Sequence, residues 1–199
     1  MYKKYLKRDC DFIISFVTII LLSWLFIILM LLIKLTSKGP VFFLQKRIGK
    51  NKREFNILKF RTMRIDTPRD IPTHLLKHPE QYITPIGKVL RKTSLDELPQ
   101  LFNILKGDMS IVGPRPALWN QYDLIEERDK YKANDVRPGL TGWAQINGRD
   151  ELPILLKAKL DGKYIEKMSF LFDIRCIIKT VGCVIRRDGV KEGIAETID

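Results

Sequence analysis

The chain is 199 residues long, with 45% hydrophobic and 29% charged residues, a balance that excludes a disordered chain and suits one domain with a sizeable core. Its formal charge is +12, but residues 1–64 carry 14 basic and 3 acidic side chains (+11), whereas residues 65–199 carry 21 and 20 (+1). A nucleic-acid binder would run its basic stripe through the folded part, so no nucleic-acid partner is expected.

Residues 12–33 are uncharged and interrupted only by Ser15, Thr18 and Ser23. At roughly 1.5 Å per residue a helix of this length reaches about 33 Å, enough to cross a hydrocarbon core. A cleaved leader would have an apolar stretch of about 7–15 residues and then a small-residue cleavage site. Here Lys34-Leu-Thr-Ser-Lys38 follows instead. Lys3, Lys4, Lys7 and Arg8 precede the run, and Lys34, Lys38, Lys46, Arg47, Lys50, Lys52 and Arg53 follow it. Basic flanks favour the cytoplasmic side. A helix that enters, breaks and returns keeps both flanks there, against anionic lipid head groups. The break is expected near Ser23, whose hydroxyl can bond a preceding carbonyl and bend the helix. A plain span is the alternative.

After Gly39-Pro40, residues 41–45 and 55–60 read as short strands joined by a basic turn bearing Gly and Asn, a hairpin. Residues 65–85, with Pro68, Pro72, Pro79 and Pro85, read as a loop with short helical pieces. Helices are predicted over about 85–92 and 95–106, the second ended by Gly107. Gly113-Pro-Arg-Pro116 is excluded from helix interior because its two prolines lack donors and fix φ. Residues 118–132 read as helix, 137–149 as an ordered Gly-rich loop around a short strand, and 151–167 as helix. Ile174, Ile177, Ile178, Val181, Val184 and Ile185 then form an apolar stripe with Arg175, Lys179, Arg186 and Arg187 off it. Such a helix lies on a membrane surface or packs in the core. The whole predicts a mixed α/β, helix-rich fold, with a membrane-anchoring segment over 1–38 and a folded domain over 39–199.

Cys10, Cys176 and Cys183 are too few and scattered for a disulfide framework, and Cys176 and Cys183, seven apart at a helical spacing, read as buried apolar fillers. His74 and His78 lack a third partner at ligand spacing, so a metal shared between them is not expected. Asp9-Cys-Asp11 matches an Asp-x-Asp metal motif, but beside the apolar run it reads as coincidence or helix capping.

Ser94-Leu-Asp-Glu97 fits a capping box, with Ser94 capping a helix and Glu97 bonding back to it. The same placement has a chemical reading: an Asp in a first helical turn stays ionised and can ligate magnesium or attack phosphorus. Its company favours that reading. Lys59 and Arg61 close a strand, Arg91 precedes Asp96 by five residues, Arg115 lies between two prolines, and Arg137 and Arg149 bracket the Gly-rich loop. Arg held on rigid turns suits bidentate phosphate binding. No Walker loop and no Gly-x-Gly-x-x-Gly turn is present.

Four strings carry a resemblance over nearly the whole chain: Lys7-Arg8 before Asp11-Phe12 with Lys59-Phe-Arg-Thr-Met63, Thr93-Ser-Leu-Asp-Glu-Leu-Pro-Gln-Leu101, Gly107-Asp-Met-Ser-Ile-Val-Gly-Pro-Arg-Pro116, and Arg137-Pro-Gly-Leu-Thr-Gly-Trp-Ala-Gln-Ile-Asn-Gly-Arg149. Together they resemble the bacterial sugar transferases, monotopic polyprenyl-phosphate phosphoglycosyl transferases, in their minimal catalytic form. The resemblance implies a re-entrant or spanning membrane helix, then a small cytoplasmic transferase domain with short strands and amphipathic interfacial helices. It implies an enzyme at the bacterial inner membrane, its catalytic domain on the cytoplasmic face. That enzyme would move a phosphosugar from a UDP-sugar to polyprenyl (undecaprenyl) phosphate and release UMP, an early step of glycoconjugate assembly.

In that resemblance Asp96 is the nucleophile, forming an aspartyl phosphosugar, and Glu97 is the general base. Mg2+ is the cofactor, near Asp96. Lys59, Arg91 and Arg115 match phosphate-site positions, and Arg61, Arg137, Gln145 and Arg149 are further substrate-binding candidates. One departure is that Trp24 stands where relatives commonly have Pro after the Ser. Asp66-Thr-Pro68 and Pro116-Ala-Leu-Trp-Asn-Gln121 are similar to capsule-type members and point to an N-acetylated 6-deoxyhexosamine. The rivals are a membrane-anchored, metal-dependent glycosyltransferase that releases UDP, and a non-catalytic membrane assembly protein. The oligomeric state, a dimer included, stays open.

Overall fold

The computed structural model describes residues 2–68, 78–148 and 152–186. The apolar run forms two helices, α1 (Lys7–Leu21) and α2 (Ser23–Thr36), bent by 64° at the break. Neither is long and apolar enough to cross a membrane alone. The predicted break therefore lies one residue ahead of Ser23, at Leu22, whose backbone leaves the helical region (φ −98°, ψ 9°). The expected cause differs: among the described residues the Ser23 hydroxyl makes no hydrogen bond, and no proline is needed. Packing holds the two arms to different walls. Asp11 and Ser15 of α1 are buried, and Ile19 packs beside Leu101 and Ile104. Phe26, Leu29 and Ile33 of α2, one helical face, pack with Phe60 and Leu90.

Strands β1 (Phe42–Ile48) and β2 (Glu54–Phe60) pair antiparallel as the predicted hairpin, in register from Phe42–Phe60 to Ile48–Glu54. Its turn places Asn51 and Lys52 in the left-handed region. Helix α3 (Pro85–Thr93) starts on a Thr84 cap that accepts the Gly87 amide. The single helix expected over 95–106 is divided: residues Leu95–Glu97 form a 3-10 turn and α4 is Gln100–Lys106. Pro99 has no amide to continue a helical ladder, so the acidic pair stands in a turn of its own. Gly107 ends α4 with positive φ, as expected.

Strands β3 (Ser110–Val112) and β4 (Gly139–Thr141) pair in parallel, with α5 (Tyr122–Asp129) between them in sequence. Glycine is required where these segments meet: a Cβ on Gly142 would lie 2.0 Å from the Gly113 carbonyl oxygen. Helix α6 (Ile154–Lys167) leads to α7 (Phe170–Arg186). On α7 both predicted environments occur: Ile177 of the apolar stripe packs against the core, and Cys176 and Cys183 are the buried fillers expected. Phe172, Cys176 and Cys183 are buried, and Phe172 and Cys176 pack with Val112, Trp143, Tyr164 and Met168. Leu171 (77% exposed), Ile178 (66%) and Val181 (55%) face outward. The fold is thus mixed α/β and helix-rich, with two small two-stranded sheets.

Candidate active site

Three segments converge on the acidic pair. Strand β2 delivers Lys59 near its end, while the alternate residue Phe60 turns into the core. Helix α3 stops at Ser94, which adopts a left-handed conformation (φ 57°) and reverses the chain into the turn holding Asp96 and Glu97. Arg115 comes from the Pro114–Pro116 segment after β3. Glu97 Oε1 accepts from Lys59 Nζ at 2.7 Å and from Arg115 Nη2 at 2.9 Å. The capping box is therefore not formed: Ser94 makes no side-chain cap bond, and Glu97 is spent on the two cations.

Asp96 is buried in the same turn, and among the described residues no cation stands at ion-pair distance from it. The two carboxyls are driven apart electrically. Burial pushes the Asp96 carboxyl up to about 6; Lys59 opposes this, the charge of Glu97 adds to it, and Arg91 and Arg115 lower it again. For Glu97 burial also acts upward, but Arg115 and Lys59 outweigh it and hold the group well below the usual carboxylate range. One carboxylate is locked and ionised, and the other has no ion-pair partner among the described residues, in a field of three cations.

The structure thus brings Asp96, Glu97, Lys59, Arg91 and Arg115 together. It puts other candidates elsewhere. Arg61 is buried, and its Nη2 donates to Ser37 O and Oγ (2.9 and 2.6 Å), capping the end of α2. Its Nε and Nη1 have no partner among the described residues, and burial lowers its pKa. Arg137 Nε donates to Gly107 O at 2.8 Å, at the end of α4. Gln145 Nε2 donates to Leu140 O at 3.1 Å, leaving its buried Oε1 unpartnered. Arg149 lies outside the described residues, as does His74.

No group of three or more His, Cys, Asp or Glu converges for a metal among the described residues. Magnesium commonly takes one or two carboxylates and completes its shell with water and substrate phosphate. Asp96, without an ion-pair partner, fits that donor set, whereas Glu97, bound by two cations, does not. Asp11 is no metal ligand either: it accepts from Ser110 Oγ (2.7 Å) and Ile111 N (3.1 Å), tying α1 to β3. Sequence reasoning missed this tie and also a buried Arg128–Asp161 pair. Both look like ordinary helix-surface charges until their partners, about a hundred and 33 residues away, are known.

The chain matches the sequence profile of the bacterial sugar transferases over residues 2–187. It is 38% identical to the exopolysaccharide production protein ExoY of Sinorhizobium fredii, over 89% of this chain and 84% of that protein. It is 38% identical to the uncharacterized sugar transferase EpsL of Bacillus subtilis, over 94% and 91%. It is 39% identical to the UDP-glucose:undecaprenyl-phosphate glucose-1-phosphate transferase of Escherichia coli, over 89% of this chain but 40% of that longer protein. A fold that presents an acidic pair to a cluster of cations, in a chain of this similarity, defines an enzyme of the sugar-phosphate transferase class. The chain belongs to the bacterial sugar transferase family.

Proposed function

We propose that the enzyme transfers a phosphosugar from a UDP-sugar to polyprenyl phosphate, giving polyprenyl diphosphosugar and UMP through an intermediate on Asp96. The observation that carries this reading is the unequal acidic pair: a buried Asp96, with no ion-pair partner among the described residues, beside a Glu97 neutralised by Lys59 and Arg115. An Asp96 carboxylate oxygen attacks the phosphorus that bears the sugar. The bond from that phosphorus to the bridging oxygen breaks, and UMP leaves with the electron pair. An oxygen of the lipid phosphate then attacks the same phosphorus, breaks its bond to Asp96 and restores the carboxylate. Glu97 takes the proton of the lipid phosphate once the substrate phosphates have drawn Lys59 and Arg115 from it, and passes that proton to water. Lys59, Arg91 and Arg115 neutralise the charge gathering on the phosphoryl oxygens. Magnesium, held by Asp96 and substrate phosphate, would supply further charge neutralisation.

The donor is dissolved and the acceptor phosphate is fixed at the head-group plane, so the site has to sit at that height. The bent α1–α2 pair suits a re-entrant anchor over residues 1–38, with residues 39–199 as the transferase domain on the cytoplasmic face of the bacterial inner membrane. Ile13, Phe16, Ile20, Leu21, Trp24, Ile27 and Leu35 are all exposed on the two arms, more apolar surface than water tolerates well. The outward stripe of α7 (Leu171, Ile178, Val181) suits the interface, and the +11 charge of residues 1–64 suits anionic lipid.

The test is product analysis with a panel of UDP-glucose, UDP-galactose, UDP-N-acetylgalactosamine and a UDP-linked N-acetylated 6-deoxyhexosamine. The native protein is expected to release UMP, and mass spectrometry to find a phosphosugar adduct on Asp96. Asp96→Asn is expected to lose both turnover and adduct. UDP as product, or an adduct on another residue, would overturn the mechanism.

A further inference from the structure

The segment that carries Arg115 contains two prolines and so has few amides with which to anchor itself. It is held through its carbonyls instead. Pro114 O accepts from Gly139 N at 2.8 Å, and Ala117 O accepts from Ile48 N at 2.9 Å. The two carbonyls between them are held by side chains: Arg115 O by Arg128 Nη1 at 2.9 Å, and Pro116 O by Arg47 Nη1 at 3.1 Å. Four successive carbonyls are thus each fixed, by donors from three parts of the fold: β4, α5 and the end of β1.

Arg128 differs from the other three donors in two ways. It grips the residue whose guanidinium meets Glu97, and it is held by a buried ion pair, whereas the Arg47 guanidinium is held by the neutral Gln45 amide. Arg128 is 3% exposed, and its Nε and Nη2 both donate to Asp161 Oδ2 at 2.8 and 2.6 Å; Asp161 is 1% exposed. The pair joins α5 to α6, where Gly162 lets Tyr131 close in: a Cβ there would lie 2.7 Å from its ring. Stability alone is a weak reason for such a pair, because well-packed apolar residues of similar size often replace a buried ion pair without loss. What apolar residues do not supply is a donor aimed at Arg115 O.

We propose that Arg128, oriented by Asp161, is a positioning residue that holds the Arg115 guanidinium at the phosphate-handling site. It touches no reacting atom and acts through the backbone of Arg115. The inference rests on the proposed transfer reaction, and its test separates the two.

The test is a double-mutant cycle between the buried pair and Arg115, followed by UMP release with the panel donor that turns over fastest. Arg128→Met/Asp161→Leu removes the donor without leaving a buried charge, and its thermal midpoint is expected close to that of the native protein. In the native background it should lower kcat/KM for the donor about tenfold, a shift of about 1.4 kcal/mol. In an Arg115→Ala background the same replacement should change kcat/KM less than about twofold. An equal loss in both backgrounds, or none in the native one, overturns the positioning role. If the double variant does not fold, Arg128→Lys enters the same cycle, since one ammonium has to be divided between Asp161 and Arg115 O. Failure of the transfer reading shows separately, as absent UMP release by the native protein or normal release by Asp96→Asn.

Discussion

Asp96 and Glu97 are neighbours in sequence with opposite surroundings, and that difference has a pH signature. A protonated Asp96 has no lone pair of carboxylate strength to offer phosphorus, and burial places its ionisation at about 6. Glu97, held low by Arg115 and Lys59, stays ionised across the same range. UMP release is therefore expected to rise as pH increases through about 6 and to level off above it. Lys59 lowers the Asp96 value, so Lys59→Met should move the midpoint of that rise to higher pH. Single-turnover UMP release between pH 5 and 8 checks both, and a midpoint that stays put in Lys59→Met would remove Lys59 from the field on Asp96. The residue types of this site were legible in the sequence; their pairing was not. The partners of Glu97 stand 38 and 18 residues away, whereas the capping box needs only a local span of four, so local reasoning favoured the wrong bond. Arg61 and Arg137 show the converse. One follows a strand and the other opens the Gly-rich loop, but each is drawn to the open carbonyls at a helix end, a competing acceptor that the pattern does not reveal.

Among the elements, legibility followed how local the cause was. The hairpin, the start of α3 and the stop at Gly107 depend on a few adjacent residues; the last two stand where the pattern placed them, and the hairpin forms with its first strand running on to Ile48. The break in the apolar run was placed to within a residue, but its cause lies in the two walls that hold Ser15 and Ile33, which no helical periodicity encodes. On α7 the apolar stripe is divided: Ile178 and Val181 face outward, while Ile177 packs against the core beside Phe172 and Cys176. The Gly-rich loop holds the expected short strand, β4, and its Gly139 and Gly142 answer to a crossing of backbones at Gly113. A methyl group on Gly142 would meet the Gly113 carbonyl at 2.0 Å, with no flexible side chain to yield. Gly142→Ala is expected to cost about 1–3 kcal/mol through the forced backbone shift. Thermal unfolding in one detergent at one protein concentration measures it, and an unchanged midpoint would mean that β4 can move away from Gly113 freely.

At the scale of the whole molecule, the uneven charge and the bent helix pair describe one arrangement. The basic flanks lie on either side of an apolar pair that turns by 64°, and the first arm is fastened to the domain through buried polar contacts. Lys7 Nζ and Tyr2 OH both donate to Asp173 Oδ2 at 2.6 Å, and Asp11 takes Ser110 Oγ. A helix running straight on from α1 would pull its C-terminal flank away from the side where these contacts hold the N-terminal one. With α2 packed on Phe60 and Leu90, the chain instead comes back beside the same domain. In a re-entrant arrangement Lys3 and Lys38, both exposed, share one face of the membrane. With Cys10, Cys176 and Cys183 replaced by Ser, Lys3→Cys and Lys38→Cys are expected to react alike with a membrane-impermeant maleimide. Both should be protected in sealed right-side-out vesicles and both accessible in inverted ones. A spanning helix would split the pair, one cysteine labelled in each vesicle type, and the site would then face the lipid phosphate from a domain tethered by a single crossing.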